Sequence, residues 1–335
     1  MSAFKLTVII PAYNAADTLP RCLKALNNSL RPADQIIIVD DCSTDGSTSL
    51  QSPDSFSILR TEQGPVGPAC ARNCGAAAAN GDIVIFIDAD VAVYTDTLAL
   101  IEKHFRESPA VDALFGSYDD SPADPGWISK YKNLLHHSIH QHGHREAFTF
   151  WAGCGAIRRS AFEKTGGFAE RFPRPSIEDI ELGYRLRSMG CTIHLCPEIQ
   201  VTHLKRWTFK NVILTDICSR AVPWTKLIFK EGRVPDDLNL NVQSRLSALI
   251  AWSMILSVPA GFFQPPIWLW ISAAWLILRL LNRDLYRLFR RKGGLLFLAG
   301  ASLMHICYLL YSSAVFITVG GFTLFRNLLG RGKAR

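Results

Sequence analysis

The stretch IVIFIDAD, residues 83–90, is the part of the chain that decides the fold. Its five leading apolar residues do not alternate with polar ones, which is typical of a parallel strand buried on both faces. Similar runs alternate with helical segments and predict an open α/β sheet whose ligand site lies at the carboxyl ends of the strands. The predicted strands are Lys5 to Pro11, Gln35 to Asp40, Ser57 to Thr61 and Ile83 to Asp88, and the predicted helices are Asp17 to Asn28, a short one from Gly46, and Gly67 to Ala79.

Paired carboxylates follow two of these strands. One pair is Asp40-Asp41, and the other is Asp88-Ala89-Asp90. Neighbouring carboxylates repel unless a cation compensates them, and converging carboxylate oxygens suit Mg²⁺ or Mn²⁺ holding a diphosphate. Neither a G-x-G-x-x-G fingerprint nor a G-x-x-x-x-G-K-[ST] loop is present. The sequence therefore argues against a dehydrogenase or a P-loop NTPase and predicts a nucleotide donor whose leaving group is the diphosphate.

Composition predicts a folded domain and a membrane segment in one chain. Of the 335 residues, 48% are hydrophobic and 19% are charged, which excludes a disordered tail, a collagen and a coiled coil. The net charge of +7 conceals a split, because residues 1–203 carry −6 and residues 204–335 carry +13. The basic charge accompanies the apolar runs, so we predict a membrane partner and no nucleic acid. Nine Cys without a C-x-x-C pair fit reduced, mostly buried thiols better than disulfides or zinc, and Cys191 and Cys196 are predicted only to pack.

Two long stretches, Leu246 to Leu278 and Gly293 to Phe325, contain no Asp, Glu, Lys or Arg and have membrane lengths. A break at Gln264-Pro265-Pro266 predicts a helical hairpin, and Gly320-Gly321 is predicted to end a third span. The alternative is a buried hairpin in a soluble protein. The basic segment 282–292 places the catalytic domain on the cytoplasmic side of the inner membrane. The predicted domains are 1–204, an amphipathic interface segment 205–245, and a multi-pass region 246–335 with spans at about 246–263, 267–281 and 295–319.

Several short motifs carry a resemblance to a known family. In chain order they are Pro11-Ala12-Tyr13-Asn14, Val39-Asp40-Asp41-Cys42-Ser43-Thr44-Asp45-Gly46, Ala71-Arg72-Asn73-Cys74-Gly75, Gly81-Asp82, Asp88-Ala89-Asp90, Gly166-Gly167-Phe168 and Glu178-Asp179-Ile180-Glu181-Leu182-Gly183-Tyr184-Arg185-Leu186. Together, over about residues 5 to 205, they resemble family-2 glycosyltransferases of the GT-A fold, which has a Rossmann-like open sheet. The resemblance implies inverting transfer of a sugar from a nucleotide sugar, a UDP- or GDP-sugar, with a divalent metal (Mn²⁺ or Mg²⁺) on the diphosphate.

The resemblance also implies roles for single residues. Asp179 would be the general base that takes the proton from the acceptor hydroxyl, and Glu178 would orient its loop; the alternative is an acid pair favoured by the dipole of a helix start. His203, shortly after a predicted strand Thr192 to Leu195, would be a metal ligand or an ordinary interfacial histidine. The donor-binding residues would be Pro11, Ala12, Tyr13, Asp40 or Asp41, Arg72, Asp82 and Asp88. The metal residues would be Asp90 as direct ligand, Asp88 facing the donor, and His203.

Acceptor binding is predicted from Glu178 and from two further segments. Trp151 and Gly153 resemble the segment that shapes the acceptor pocket, with a buried tryptophan as the alternative. Arg206 and Trp207 resemble the QxxRW element of membrane polysaccharide synthases, but Gln200 lies six residues before Arg206, which argues against processive synthesis. A further cluster is interpreted as an exposed acceptor-side segment rather than a zinc site: His136, His137, His140, His142 and His144.

These observations predict an inverting glycosyltransferase that acts on a lipid-linked or membrane-proximal acceptor. Three alternatives stay open. A polyprenyl-phosphate sugar synthase would use an ionised phosphate as acceptor and need no strong base. A processive polysaccharide synthase, or a catalytically inactive membrane scaffold, would fit the same domain order.

Overall fold

The computed structural model describes residues 4–47 and 56–331. The chain divides into two compact units, Met1–Arg206 and Trp207–Arg335. The sequence predicted a domain boundary after Leu204, two residues earlier. The predicted short helix from Gly46 falls mainly on residues 48–55, outside the described residues, while Gly46 itself lies in a turn.

The first unit is built around one eight-stranded sheet. Its strands are β1 (Leu6–Ala12), β2 (Gln35–Asp40), β3 (Ser57–Arg60), β4 (Ile83–Ile87), β5 (Val91–Val93), β6 (Ala113–Tyr118), β7 (Cys154–Arg158) and β8 (Ile193–His203). Their order is β3-β2-β1-β4-β7-β6-β8-β5. The four predicted strands form a parallel half, because β1 pairs in parallel with β2 and β4, and β2 with β3. β7 runs antiparallel to β4 and β6. The sheet is therefore mixed, and the predicted α/β class is confirmed.

Two strands differ from the sequence expectation. β3 is an edge strand whose residues are exposed or half-buried, so the prediction of burial on both faces is wrong for Ser57–Arg60. β8 has 11 residues, whereas the sequence predicted only Thr192 to Leu195. Pro197 interrupts the apolar pattern there, and the pairing of β8 with β6 shifts register between Phe115 and Ser117. An irregular strand of this kind is hard to recognise from periodicity.

Within the described part of the first unit, six helices cover the sheet. They are α1 (Leu19–Asn27), α2 (Pro68–Ala77), α3 (Thr97–Glu107), α4 (Trp127–Gln141), α5 (Arg159–Thr165) and α6 (Glu178–Ser188). α1 shows why such segments fold as helices: Leu19, Cys22, Leu23 and Leu26 recur at helical spacing, and all four are buried. The core between helices and sheet contains Ile9, Ile37 and Phe86, each fully buried. This packing holds the strand ends, and hence the loops that follow them, in place.

The second unit is helical. Its helices are α7 (Phe209–Leu214), a π-helical turn (Thr215–Ala221), α8 (Val222–Glu231), α9 (Val242–Gly261), α10 (Ile267–Leu281) and α11 (Arg283–Arg331). α9 and α10 form the predicted hairpin, and both pack against α11 through residues that include Ala251, Ala274 and Ile306. The break in α11 lies at Gly294, with φ of 74° and ψ of −170°.

The predicted break at Gly320-Gly321 is wrong, because the helix continues through both residues. A Cβ atom on Gly320 would lie 2.5 Å from the Phe229 ring. The glycine therefore allows α11 to approach α8 closely, rather than ending a helix.

Among the described residues, one helix is long and apolar enough to cross a membrane, Arg283–Arg326. It contains the predicted span 295–319. α10 is apolar but has 15 residues, fewer than the ~20 that cross a hydrocarbon core. α9 has 20 residues, but it is not apolar enough over a membrane-spanning length, so one of the three predicted spans remains a candidate.

The surface of the second unit is unusually apolar. Large apolar side chains at Leu249, Leu256, Phe263, Leu269 and Leu296 are all at least 67% exposed. Polar groups instead pair inside the unit, and these pairs are Trp252 with Ser313 (2.9 Å), Asn282 with Ser247 (2.9 Å), Tyr286 with His305 (3.1 Å) and Tyr311 with Asp216 (2.6 Å). Exposed apolar side chains in this number are typical of surfaces that contact a membrane or a partner.

Candidate functional site

The carboxyl ends of β1 and β2 carry two loops that are bonded to each other. The backbone N–H of Asn14 donates to Ser43 Oγ (3.0 Å), and the Asn14 side chain accepts from the backbone N–H of Thr44 (2.9 Å). Ala15 N donates to Ser47 Oγ (2.8 Å). Pro11 and Ala12 end β1 beneath these loops, while the Tyr13 ring is 51% exposed above them. Hydrogen bonds thus hold the two loops together, and the Tyr13 side chain beside them is exposed.

Asp40 and Asp41 are both buried and both bonded within the protein. Asp40 Oδ1 accepts from Ser43 N (2.9 Å). Asp41 Oδ1 accepts from the Thr61 hydroxyl (3.0 Å) and from Val66 N (2.9 Å), and its Oδ2 accepts from Gly67 N (2.8 Å). Both carboxylates thus have hydrogen-bond donors within the protein. The carboxylates therefore shape the loops that would surround a nucleotide base.

Arg72, on α2, connects two parts of the acidic site. Its guanidinium is buried and donates to Asp88 Oδ1 (2.7 Å) and to Glu178 Oε1 (3.0 Å). Burial alone would lower the pKa of Arg72, but the charges of Asp88, Glu178 and Asp179 raise it above its ordinary value. Among the described residues, the buried Nε–H of Arg72 has no hydrogen-bond partner. One donor of the guanidinium is thus left over for a ligand.

Asp90 lies beside the end of β8. Its Oδ2 is 3.7 Å from Nε2 of His203, the last residue of that strand. The imidazole is buried and stacks on the Tyr118 ring, with centroids 4.2 Å apart and planes 16° apart. Burial tends to raise the pKa of Asp90, but the neighbouring His203 and the charge of Lys205 bring it below its ordinary value. Asp90 is therefore an ionised carboxylate beside a fixed imidazole.

A divalent metal fits Asp90 and His203 better than it fits Asp88. A half-buried carboxylate and an imidazole nitrogen are ligands that Mn²⁺ accepts, and here the two lie 3.7 Å apart. Asp88 already has its charge compensated by Arg72, at 2.7 Å. As a metal ligand Asp88 is therefore less suited than the sequence predicted, and Asp90 with His203 are the residues that could hold the ion.

The start of α6 brings Glu178 and Asp179 to the site. Glu178 is buried, and its second oxygen accepts from Ser176 N (2.8 Å). Asp179 is half-buried; its Oδ2 accepts from Ala152 N (3.2 Å) and its Oδ1 from Ile180 N (2.8 Å). The two acids thus have different partners: Glu178 binds Arg72, and Asp179 binds the segment that contains Trp151.

Trp151 is buried in an aromatic cluster rather than open to a sugar ring. Its ring lies edge-on to Tyr118 (4.8 Å) and within 5.3 Å of the rings of His136 and His140. The Trp151 ring also covers Gly153, where a Cβ atom would lie 2.5 Å from it. The alternative of a buried tryptophan is the one that the structure shows.

The histidine cluster is not an exposed segment as a whole. His136 and His140 lie on α4, where His140 is buried and its Nδ1 is 3.0 Å from Gly116 O. His142 and His144 follow the helix and are exposed. The sequence interpretation is therefore wrong for the helical members, because α4 packs on β6 and turns them inward.

One predicted site residue, Asp82, lies away from this site. Asp82 precedes β4 and accepts from Lys5 N (2.9 Å) at the amino end of the strand, opposite the carboxyl end that carries Asp88. Arg206 is strongly exposed, with its Nε 3.9 Å from Asp124 Oδ2. Trp207 belongs to the second unit. The prediction that Asp82 completes the nucleotide pocket is wrong for this geometric reason.

Asp119 is a buried acid that the sequence reasoning missed. It follows β6, and its carboxylate accepts from the Tyr94 hydroxyl (2.9 Å), from Ser121 N (3.0 Å) and from the Thr202 hydroxyl. Burial, with the nearby charge of Asp119, raises the pKa of Tyr94 to about 12. The signal was present in the sequence, since Asp119-Asp120 follows an apolar run just as Asp40-Asp41 does.

The comparison with protein families agrees with this geometry. The model named Glycosyl transferase family 2 matches residues 7–166. The chain contains a glycosyl transferase family 2 domain. The matched residues include β1, β2 and β4 with the acids that follow them, while Glu178, Asp179 and His203 lie beyond the match.

The individual relatives described next differ from this chain at most of the aligned positions. The pre-mycofactocin glycosyltransferase of Mycobacterium tuberculosis is 29% identical over 218 residues, which are 62% of this chain and 44% of that protein. The O-antigen chain rhamnosyltransferase RfbN of Salmonella typhimurium is 26% identical over 241 residues, 67% of this chain and 76% of RfbN. The chain thus spans less than half the length of some curated relatives. The solved mannosyltransferase PcManGT from Pyrobaculum calidifontis, in complex with GDP-Man and Mn²⁺, aligns with a TM-score of 0.58 and 20% identity over 97% of this chain and 88% of that one, which shows a shared fold.

Proposed function

We propose that this protein transfers a sugar from a nucleotide-sugar donor to an acceptor at a membrane. The observation that carries the proposal is the convergence of Asp88, Asp90, Arg72 and Asp179 at one end of the sheet. The solved relative PcManGT holds GDP-Man and Mn²⁺ in the same fold, and the TarS protein of S. aureus was solved with UDP-GlcNAc. Both support a UDP- or GDP-sugar as the donor.

Donor binding would use residues on three strand ends. The loops held by Asp40 and Asp41 would surround the base and ribose, with the exposed Tyr13 ring above them. The free Nε–H of Arg72 would donate to the donor, and Asp88 would face its sugar or ribose. A divalent ion, Mn²⁺ or Mg²⁺, bound by Asp90 and His203, would stabilise the negative charge of the departing diphosphate.

Asp179 is proposed as the general base. A base must stand opposite the leaving diphosphate, because in-line displacement at the anomeric carbon inverts the centre. The link from Asp88 through Arg72 and Glu178 to the start of α6 would fix the distance between donor and base. We therefore propose inverting transfer.

A second function, a polyprenyl-phosphate sugar synthase, is favoured by one observation. Both Asp179 oxygens already accept backbone hydrogen bonds, from Ala152 N and Ile180 N. A phosphate acceptor is already ionised and needs no proton removed. Asp179 would then only position the acceptor.

Membrane association is proposed for the second unit. The apolar helix Arg283–Arg326 and the exposed apolar side chains of α9 and α10 support it. The excess of basic residues after residue 203 favours the cytoplasmic face of a membrane with anionic lipids. The acceptor class that fits is a lipid-linked or membrane-proximal sugar.

A donor screen tests the proposed function. Membranes containing the full chain would be incubated with a panel of UDP- and GDP-sugars, radiolabelled in the sugar, and Mn²⁺. We expect one donor to release nucleoside diphosphate and to label a product that is extracted into organic solvent. A labelled monophosphoryl lipid would identify the synthase, and a labelled lipid-linked glycan would identify the transferase. Release by none of the donors would leave only the scaffold alternative.

A further inference from the structure

A cluster of metal-ligating side chains lies at the other end of β8 from His203. His104 on α3 and Cys196 on β8 are buried, and Glu198 on β8 is exposed. One ligand atom from each of these three side chains lies within 4.8 Å of the others. Cys196 is seven residues from His203, roughly 20 Å along an extended strand. The cluster is therefore separate from the donor site.

The geometry of His104 suits metal binding. Its Nδ1 is 3.5 Å from Cys196 Sγ, and its Nε2 is 3.0 Å from His194 Nδ1. Two ligand atoms on one tetrahedral Zn²⁺ are about 3.5 Å apart, the same separation. If His104 Nε2–H donates to His194, Nδ1 keeps its lone pair toward Cys196. His194 thus occupies the position of the outer partner that orients many metal-binding imidazoles.

The surroundings fit a site that opens to solvent on one side. Glu198 is exposed and can turn its carboxylate onto an ion that arrives from water. Neutral imidazole, thiolate and carboxylate are a ligand set that Zn²⁺ accepts, with water in the fourth position.

We propose that His104 Nδ1, Cys196 Sγ and a Glu198 oxygen bind one Zn²⁺ or a similar divalent transition metal ion. On binding, the S–H bond of Cys196 breaks, a metal–sulfur bond forms, and the proton passes to water; no group is oxidised or reduced. The ion would join α3 to β8. The sequence expectation that Cys196 only packs is replaced by this proposal.

Cobalt titration of the metal-free full chain, purified in detergent without a histidine tag, tests the site. Co²⁺ bound to a thiolate gives a sulfur-to-metal absorption band that carboxylate and histidine sites lack. We expect this band to saturate at one Co²⁺ per chain and to disappear on addition of Zn²⁺. Cys196→Ser should abolish the band, and Glu198→Gln should weaken Co²⁺ affinity by at least about tenfold. His194→Gln should weaken it by about 10- to 100-fold.

Two control variants make the result specific. Cys191→Ser removes a buried cysteine five residues away, and Asp90→Asn alters the donor site; both should keep the band. Glu198 is exposed, so Glu198→Gln reports on the site even if Cys196→Ser fails to fold. Absence of the thiolate band in the wild type, or a band that survives Cys196→Ser, would overturn the proposal.

Discussion

Replacing Asp179 by Asn should lower kcat by about 10²- to 10⁴-fold while the affinity for the donor stays nearly unchanged. The amide keeps the size of the carboxylate and can still accept one of the two backbone hydrogen bonds, from Ala152 N or Ile180 N. It cannot take the proton of an acceptor hydroxyl. Loss of kcat without loss of binding indicates an interaction made mainly in the transition state.

The measurement is a comparison of kcat with calorimetric affinity for the nucleoside diphosphate. Glu163→Gln, which alters an exposed carboxylate on α5, is the matched control and should leave both values unchanged. Near-wild-type turnover by Asp179→Asn, with a verified acceptor and chemistry limiting the rate, would count against the base. The phosphate acceptor of the alternative function would then be the better explanation.

Replacing Arg72 by Met should destabilise the first unit by about 3–5 kcal/mol, the usual cost of removing one partner of a buried ion pair. Glu178 would remain buried, with one oxygen still bonded to Ser176 N but its counter-charge gone. Asp88 would also lose its 2.7 Å partner beside Asp90, and the repulsion between the two carboxylates would grow. Activity should therefore fall together with stability.

Urea denaturation of the full chain in detergent measures this effect. Arg72→Met combined with Glu178→Gln should recover part of the lost free energy of unfolding, because no uncompensated buried charge remains at Glu178. Arg60→Met serves as the control, since Arg60 is exposed and 3.7 Å from Asp40. An Arg72→Met protein as stable as the wild type would show that the bridge contributes little.

Local signals predicted the parallel half of the sheet well. β1, β2 and β4 are rich in apolar residues that do not alternate with polar ones, as expected for strands buried on both faces. β8 could not be predicted in full, because Pro197 and a shifted register hide its pattern. The position of Asp82 could have been read correctly, since a residue that precedes a strand lies at its amino end.

The contacts of the site depend on residues that are distant in sequence. Arg72 and Glu178 are 106 residues apart, and no local pattern shows that they pair. Trp151 is buried because β6 and α4 bring Tyr118, His136 and His140 around it. The sequence could therefore indicate which acids to expect, but not which of them would be neutralised by the protein itself.

The central claim is that the donor diphosphate is held through a metal at Asp90. Titration of the full chain with GDP or UDP, once in the presence of Mn²⁺ and once in the presence of a chelator, tests this claim most directly. The wild type should bind the preferred nucleotide tightly only with Mn²⁺. Asp90→Asn should lose this metal-dependent binding, because the amide offers an oxygen without the charge that offsets the ion. Asp96→Asn, at an exposed position before α3, should bind as the wild type does. Unchanged affinity of Asp90→Asn for the nucleotide with Mn²⁺ would contradict the account.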